Sequence, residues 1–196
     1  VQIDDYNPSS TDDDLRWVRV YGQDNEISYN TFINKTSIGS MLFNQRENGI
    51  EDRMKIHHNY FAYRNQIGIA DSANDIDVMR IGDSSKSLTN SSSEIYDNYF
   101  YEANGGEPEV ISNKSSNNKY YNNTFENYLG SLSLRHGNDC KVYNNFFLNP
   151  GQNESYFNGG IRVEGERHMV YNNYIQGTNG TKQNSNSKAG SLGGIN

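Results

Sequence analysis

Asn122-Asn123-Thr124-Phe125 is the stretch whose reading decides the fold, because the same phrase returns along the chain. It recurs as Tyr29-Asn30-Thr31-Phe32, His58-Asn59-Tyr60-Phe61, Asp97-Asn98-Tyr99-Phe100, Asn144-Asn145-Phe146-Phe147 and Asn172-Asn173-Tyr174-Ile175. The asparagines at 30, 59, 98, 123, 145 and 173 stand 29, 39, 25, 22 and 28 residues apart. A loose period of this size, with short apolar runs and no helical periodicity, predicts a solenoid of strands. The fold class read from it is all-β, a right-handed parallel β-helix, with residues 1–196 as one domain. In each phrase an aromatic faces the core and the asparagine sits at a corner, where its amide bonds the equivalent amide one coil away. A β-sandwich or a propeller is the alternative, but both usually show hairpin turns between strands, which this sequence lacks.

The composition agrees with a polar-surfaced β fold. The apolar fraction is 33% and mean hydropathy is −0.91, yet fifteen Tyr, eight Phe and one Trp supply material for a narrow core. A net charge of −7 with no basic block excludes a nucleic-acid footprint, and a polyanionic partner would need local cations or a metal. The absence of a long apolar run excludes a transmembrane helix and predicts no membrane partner. Cys140 is the single cysteine, so no intrachain disulfide forms, and it reads as a small buried hydrophobe.

Between the asparagine phrases lies a second column of apolar runs: 40–43, 76–82, 110–114, 132–136 and 160–164. Four of the five carry an arginine or lysine in or just after the apolar stretch. Stacked in a β-helix they form one sheet with coils about 4.8 Å apart, so residues distant in sequence become neighbours on one face. Polar insertions at 83–93, 149–158 and 177–188 read as loops walling that face. No capping helix is recognisable before Arg16-Trp17-Val18-Arg19-Val20 or after Leu192. The open ends therefore predict further chain, or a second chain, completing the helix.

In the run Gly106-Glu107-Pro108-Glu109-Val110-Ile111-Ser112-Asn113-Lys114-Ser115, two carboxylates stand one residue apart. In an extended strand Glu107 and Glu109 share a face, and such a pair needs a cation. A hard ion such as Ca²⁺, with its six to eight oxygen ligands, suits them better than a lysine. Lys114 lies at an odd offset from Glu109, so a bend near Ser112 or Asn113 is required to bring all three together. Taken alone, the segment also reads as an exposed strand with scattered charges. The next run, Gly130-Ser131-Leu132-Ser133-Leu134-Arg135-His136-Gly137, places a cation, Arg135, at a comparable position.

Together these runs resemble polysaccharide lyase family six, the alginate lyases and chondroitinase B. Its pattern reads roughly Gly-Glu-x-Glu-Ile-Ile-Ser-x-Lys-Ser and then Leu-Arg-His-Gly. The resemblance extends from about Trp17 to Gly177 and takes in Asn30-Thr31-Phe32 with Lys35, residues 74–82 and Gly160-Ile161-Arg162-Val163 with His168. It covers the middle of the family's usual domain, without the first and last coils. By that resemblance Lys114 is the general base and Arg135 the general acid, while Glu107, Glu109 and Asn74 are calcium ligands. Asp75 and Asp77 stand where the family has Gly and Glu, so either competes as ligand. Arg80 and Arg162 are expected to face the same sheet and hold substrate carboxylates, or else to pair with Asp77 or Glu164. His136 and His168 contact sugar or are fixed by loop hydrogen bonds.

The implied reaction is calcium-assisted β-elimination on alginate, with dermatan sulfate as the closest other substrate. A non-catalytic polysaccharide-binding β-helix and an adhesive solenoid are the alternatives from other classes. The substrate class implies a secreted or periplasmic protein. Asn113-Lys114-Ser115 also matches a glycosylation sequon, a short pattern with many chance occurrences.

Overall fold

The computed structural model describes residues 1–65, 67, 75–104, 109–149, 158–178 and 194–195. Each coil of the chain gives one strand to each of three parallel sheets, which is the β-helix expected from the repeat. The first sheet stacks Gln2–Asp4, Thr31–Ile33, Tyr60–Arg64, Tyr99–Ala103, Thr124–Glu126, Phe146–Leu148 and Tyr174–Gln176. The second stacks Val18–Val20, Leu42–Asn44, Met79–Gly82, Ile111–Lys114, Gly130–His136 and Asn158–Val163. The third holds Glu26–Ser28, Lys55–His57, Glu94–Tyr96, Lys119–Tyr121, Lys141–Tyr143 and Met169–Tyr171. Among the described residues no helix is long and apolar enough to cross a membrane.

The repeated asparagines form a continuous ladder at the turn between the third and first sheets. The side-chain amide of Asn30 donates to Asn59 Oδ1 at 3.0 Å, Asn59 to Asn98 at 3.0 Å, and Asn98 to Asn123 at 3.0 Å. Asn123 continues to Asn145 at 3.0 Å, and Asn145 to Asn173 at 2.9 Å. Each accepting oxygen also takes the backbone N–H of the preceding ladder asparagine. The second amide hydrogen goes to a strand carbonyl, as from Asn123 to Ile95 O at 2.9 Å. The buried amides are therefore satisfied, as burial demands. The residue before each ladder asparagine turns the corner in the left-handed region: Tyr29, His58, Asp97, Asn122, Asn144 and Asn172, with φ of 56°, 53°, 53°, 55°, 57° and 53°. Asp and Asn tolerate that conformation better than other non-glycine residues.

Two residues after the asparagine, in five of the six phrases, a phenylalanine stacks inside. Phe32, Phe61, Phe100, Phe125 and Phe147 follow one another with ring centroids 4.9, 5.0, 4.6 and 4.7 Å apart. That spacing is the coil repeat itself. The inner rows of the second sheet, Met79, Ile111, Leu132 and Ile161, close the same core. Cys140 is buried, and burial pushes its thiol up to about 11, so it is an inert core residue.

Three details were not foreseen. Val18–Val20 supplies a sixth strand to the second sheet, extending the charged face by one coil. Asn158 opens a strand rather than closing a loop, while residues 150–157 and 179–188 of the expected loops lie outside the described residues. Asn113 is fully buried: its amide donates to Ser115 O and His136 O, and its Oδ1 accepts from Asn118 and Tyr120. That burial overrides the sequon, since a glycan needs an exposed amide.

Replacing Asn123 by Ala cuts the ladder at its centre and strands buried donors and acceptors on Asn98, Asn145 and Ile95. The expected loss is about 3 kcal/mol or more, measured as ΔG of unfolding in urea against Thr124→Ala as a control on the same strand.

Candidate active site

Strand alternation sorts the second sheet into two faces. Met79, Ile81, Ile111, Leu132, Leu134 and Ile161 point into the core. The residues between them project to the other face, and pairing puts Arg19, Phe43, Arg80, Ser112, Ser133 and Arg162 in one row across six coils. The cations spread through the sequence thus converge on one surface.

Lys114 and Arg135 come together through an irregularity in this sheet. Asn113 pairs with Leu134, but Lys114 pairs with His136, so Arg135 is an extra residue in its strand. A bulge of this kind breaks the alternation and re-aims a side chain. Gly137 completes the turn at φ +97°, where an added Cβ would lie 2.3 Å from the Ser115 carbonyl oxygen. The bend expected within the 106–115 run is met by a register shift between Asn113 and Lys114, produced by the neighbouring strand.

Lys114 has its pKa lowered, first by burial and then by the nearby Arg80 charge; Arg135 adds to this, while Asp77 and Glu109 oppose it. Burial and Arg80 are thus larger causes than the neighbouring Arg135. Burial also lowers the His136 pKa, helped by Arg135 and Lys114, which favours a neutral ring beside the amine.

Glu109 is fully buried and lies between two guanidinium groups. Arg135 Nη1 is 3.4 Å from both its oxygens, and Arg162 Nη1 is 3.4 Å from Oε1. Arg162 also pairs with Glu164. Arg80 is clamped by Asp75 and Asp77; burial works against its charge, but the two carboxylates outweigh it and raise its pKa. Asp75 and Asp77 are thereby committed to an arginine. His168 uses both ring nitrogens on backbone, accepting from Cys140 N–H at 3.1 Å and donating to Glu164 O at 2.9 Å. Its contacts are those of a histidine that fixes a loop.

Asn74 and Glu107 lie outside the described residues, and among those described no three His, Cys, Asp or Glu side chains cluster as a metal site. What remains fits a hard cation. Glu109 makes only long contacts to its arginines, leaving acceptor capacity unused. The Ser112 and Ser133 hydroxyls, adjacent in the outward row, are buried without a hydrogen-bond partner. Orphaned hydroxyl oxygens and a buried carboxylate brought by the same sheet and the segment before it are the donor type an oxygen-coordinated ion takes. Neither serine stood out in the sequence, because only burial distinguishes them from surface serines.

The chain is thus a parallel β-helix bearing a row of cations and buried carboxylates on one sheet. A sequence profile described as chondroitinase B matches residues 1–190. Solved structures of similar fold are described as alginate lyases, two of the following three as members of the PL6 family. An alginate lyase, AlyF-OU02, solved in a complex, superposes with a TM-score of 0.82 at 32% identity, over 93% of this chain and 37% of that one. A PL6 alginate lyase in complex with a trisaccharide gives 0.75 at 32%, over 83% and 34%. The PL6 alginate lyase AlyGC gives 0.81 at 36%, over 89% and 23%. No curated protein sequence matches at a comparable level. The chain belongs to polysaccharide lyase family six, and it spans well under half the length of these relatives.

The cause of the lowered Lys114 pKa can be tested directly. Arg80→Gln removes a like charge and frees two carboxylates nearby, so the pKa should rise. Heteronuclear NMR of the Lys114 ammonium should therefore show its titration moving to higher pH, and no movement would overturn Arg80 as a cause.

Proposed function

We propose that this protein cleaves a 4-linked uronic acid polymer, alginate, by calcium-assisted β-elimination. The observation that carries the reading is the placement of Lys114 beside Arg135 over the buried Glu109, with the lysine pKa lowered by burial and by Arg80. Support also comes from the solved relatives described as alginate lyases, one of them holding a trisaccharide.

The steps follow from the side chains. Lys114, as the neutral amine, takes the C5 proton of the uronate at its Nζ. Bound calcium, held by Glu109 with Glu107 and Asn74, would offset the charge that builds on the adjacent carboxylate. Arg162 and Arg80 lie in the same row, each already paired, with Glu109 and Glu164 and with Asp75 and Asp77, so a polymer carboxylate would share them with those partners. As the C4–O bond breaks, its electron pair leaves on the oxygen, and Arg135 stabilises that charge before the oxygen is protonated. A guanidinium is a poor proton donor, so charge stabilisation is the role its chemistry favours. The product carries a C4–C5 double bond. Such a polymer is met outside the cytoplasm, which makes this a secreted or periplasmic activity.

Dermatan sulfate is the second substrate to consider, because the matching family profile is that of chondroitinase B. Both polymers present a C5 proton next to a carboxylate, so the same residues would serve.

The test is ultraviolet absorbance of unsaturated uronate ends, with each polymer offered to the full-length protein. Absorbance should rise on alginate, stop on chelation and return with calcium, and fall at least about a thousandfold in Lys114→Ala. A folded protein that binds either polymer without any rise would be the non-catalytic binding module instead.

A further inference from the structure

The outward row does not stop at Arg80. Two coils towards the N-terminus, the same register line reaches Phe43 and then Arg19. Phe43 is almost fully buried under three guanidinium groups: Arg16 at 5.2 Å from its ring centroid, Arg80 at 5.7 Å and Arg19 at 5.9 Å. Cations are drawn to an aromatic face, but three of them also repel one another. Two are balanced. Arg16 pairs with Asp14 at 3.0 Å and Asp75 at 3.3 Å, and Arg80 pairs with Asp75 and Asp77.

Arg19 is different. Among the described residues it has no carboxylate within ion-pair reach, and its hydrogen bonds both end on Gln45 Oε1, from Nε at 3.1 Å and from Nη2. The same oxygen also accepts from Tyr21 Oη at 2.9 Å. An amide oxygen has two lone pairs, so three donors exceed what it can satisfy. The cluster therefore holds donors in surplus, on an exposed arginine and an exposed tyrosine, with no anion of its own. A cavity of about 170 Å³ opens beside it, where Tyr21 and Gln45 meet Asn48, Ile50, the exposed Glu47 and a buried Arg46–Asp52 pair whose charges offset each other at 3.0 Å. Its wall offers further oxygens and an apolar side chain, a mixture suited to sugar hydroxyls and a sugar face.

We propose that Arg19, Tyr21 and Gln45 form a distal subsite that binds the carboxylate of a uronic acid unit several sugars away from the bond cleaved. Arg19 lies three register steps from Ser112, about 14 Å at the coil spacing, too far to share the sugar that Lys114 attacks. The bound carboxylate would receive the Arg19 fork and the Tyr21 hydroxyl and release Gln45 from its third donor. This inference rests on the acidic-polymer reading, and it adds that affinity depends on chain length in the direction of the first coils.

The experiment is calorimetric binding of alginate trisaccharide and octasaccharide to the full-length protein carrying Lys114→Ala, which prevents turnover. Adding Arg19→Gln should lower the ratio of octasaccharide to trisaccharide affinity about five- to tenfold, the worth of one charged hydrogen-bonded pair. Lys55→Gln, on the outer face of the third sheet, is the control and should leave the ratio unchanged. Thermal melting checks that each variant is folded. An unchanged ratio in Arg19→Gln, with both oligosaccharides still bound, overturns the subsite and leaves the lyase reading standing. Failure of the Lys114→Ala protein to bind either oligosaccharide, together with no cleavage of alginate by the wild type, removes the alginate reading and the subsite with it.

Discussion

Each ladder asparagine ties its own coil to the next with two hydrogen bonds into one amide oxygen, and to a neighbouring strand with a third. Parallel strands one coil apart have no tight turn between them to set their register. The ladder supplies what a hairpin turn supplies elsewhere. A slip by one residue would take every amide out of reach and turn the phenylalanine stack outwards. With register held at one corner, the opposite sheet is aligned as well. That alignment is why Arg80, Ser112, Ser133 and Arg162 share a row although they come from four different coils.

On that sheet, charge is distributed by burial. Asp77 and Glu109 are fully buried, and each is held by arginines rather than by solvent. Isolated buried charges are costly, so these pairings are a condition of folding as well as features of a site. Lys114 is left with the smaller share of this compensation: Arg80 and Arg135 repel its charge, and burial strips its water. The same network that makes the carboxylates tolerable thereby favours a neutral amine at the edge of the groove.

Much of the architecture was legible because its signals are local. An asparagine two residues before a phenylalanine, five times over, and before Ile175 in the sixth phrase, fixes a corner and a core position together. The buried Cys140 and the convergence of the cationic runs on one sheet could be read in the same way. Other features were hidden by the same locality. Val18–Val20 is only three residues long and gains its identity by pairing with Leu42–Asn44. The sequon at Asn113 is inaccessible because four partners from other segments enclose it. His168 could be assigned to a loop-fixing role only once Cys140 N–H and the Glu164 carbonyl were known to flank its ring.

By itself the sequence determined the repeat, the parallel β-helix and the family, since short-range patterns of asparagine, aromatic and apolar residues specify which side of each strand faces inwards. It also carried the residue types of the site: a lysine, arginines and acidic side chains in successive coils. The tertiary structure alone decided how those charges are shared. Arg80 falls to Asp75 and Asp77, Glu109 is spanned by Arg135 and Arg162, and Arg19 has no carboxylate partner among the described residues. The physical reason is that electrostatic pairing and desolvation depend on distances of a few ångströms between coils, and those distances exist only after the coils have stacked.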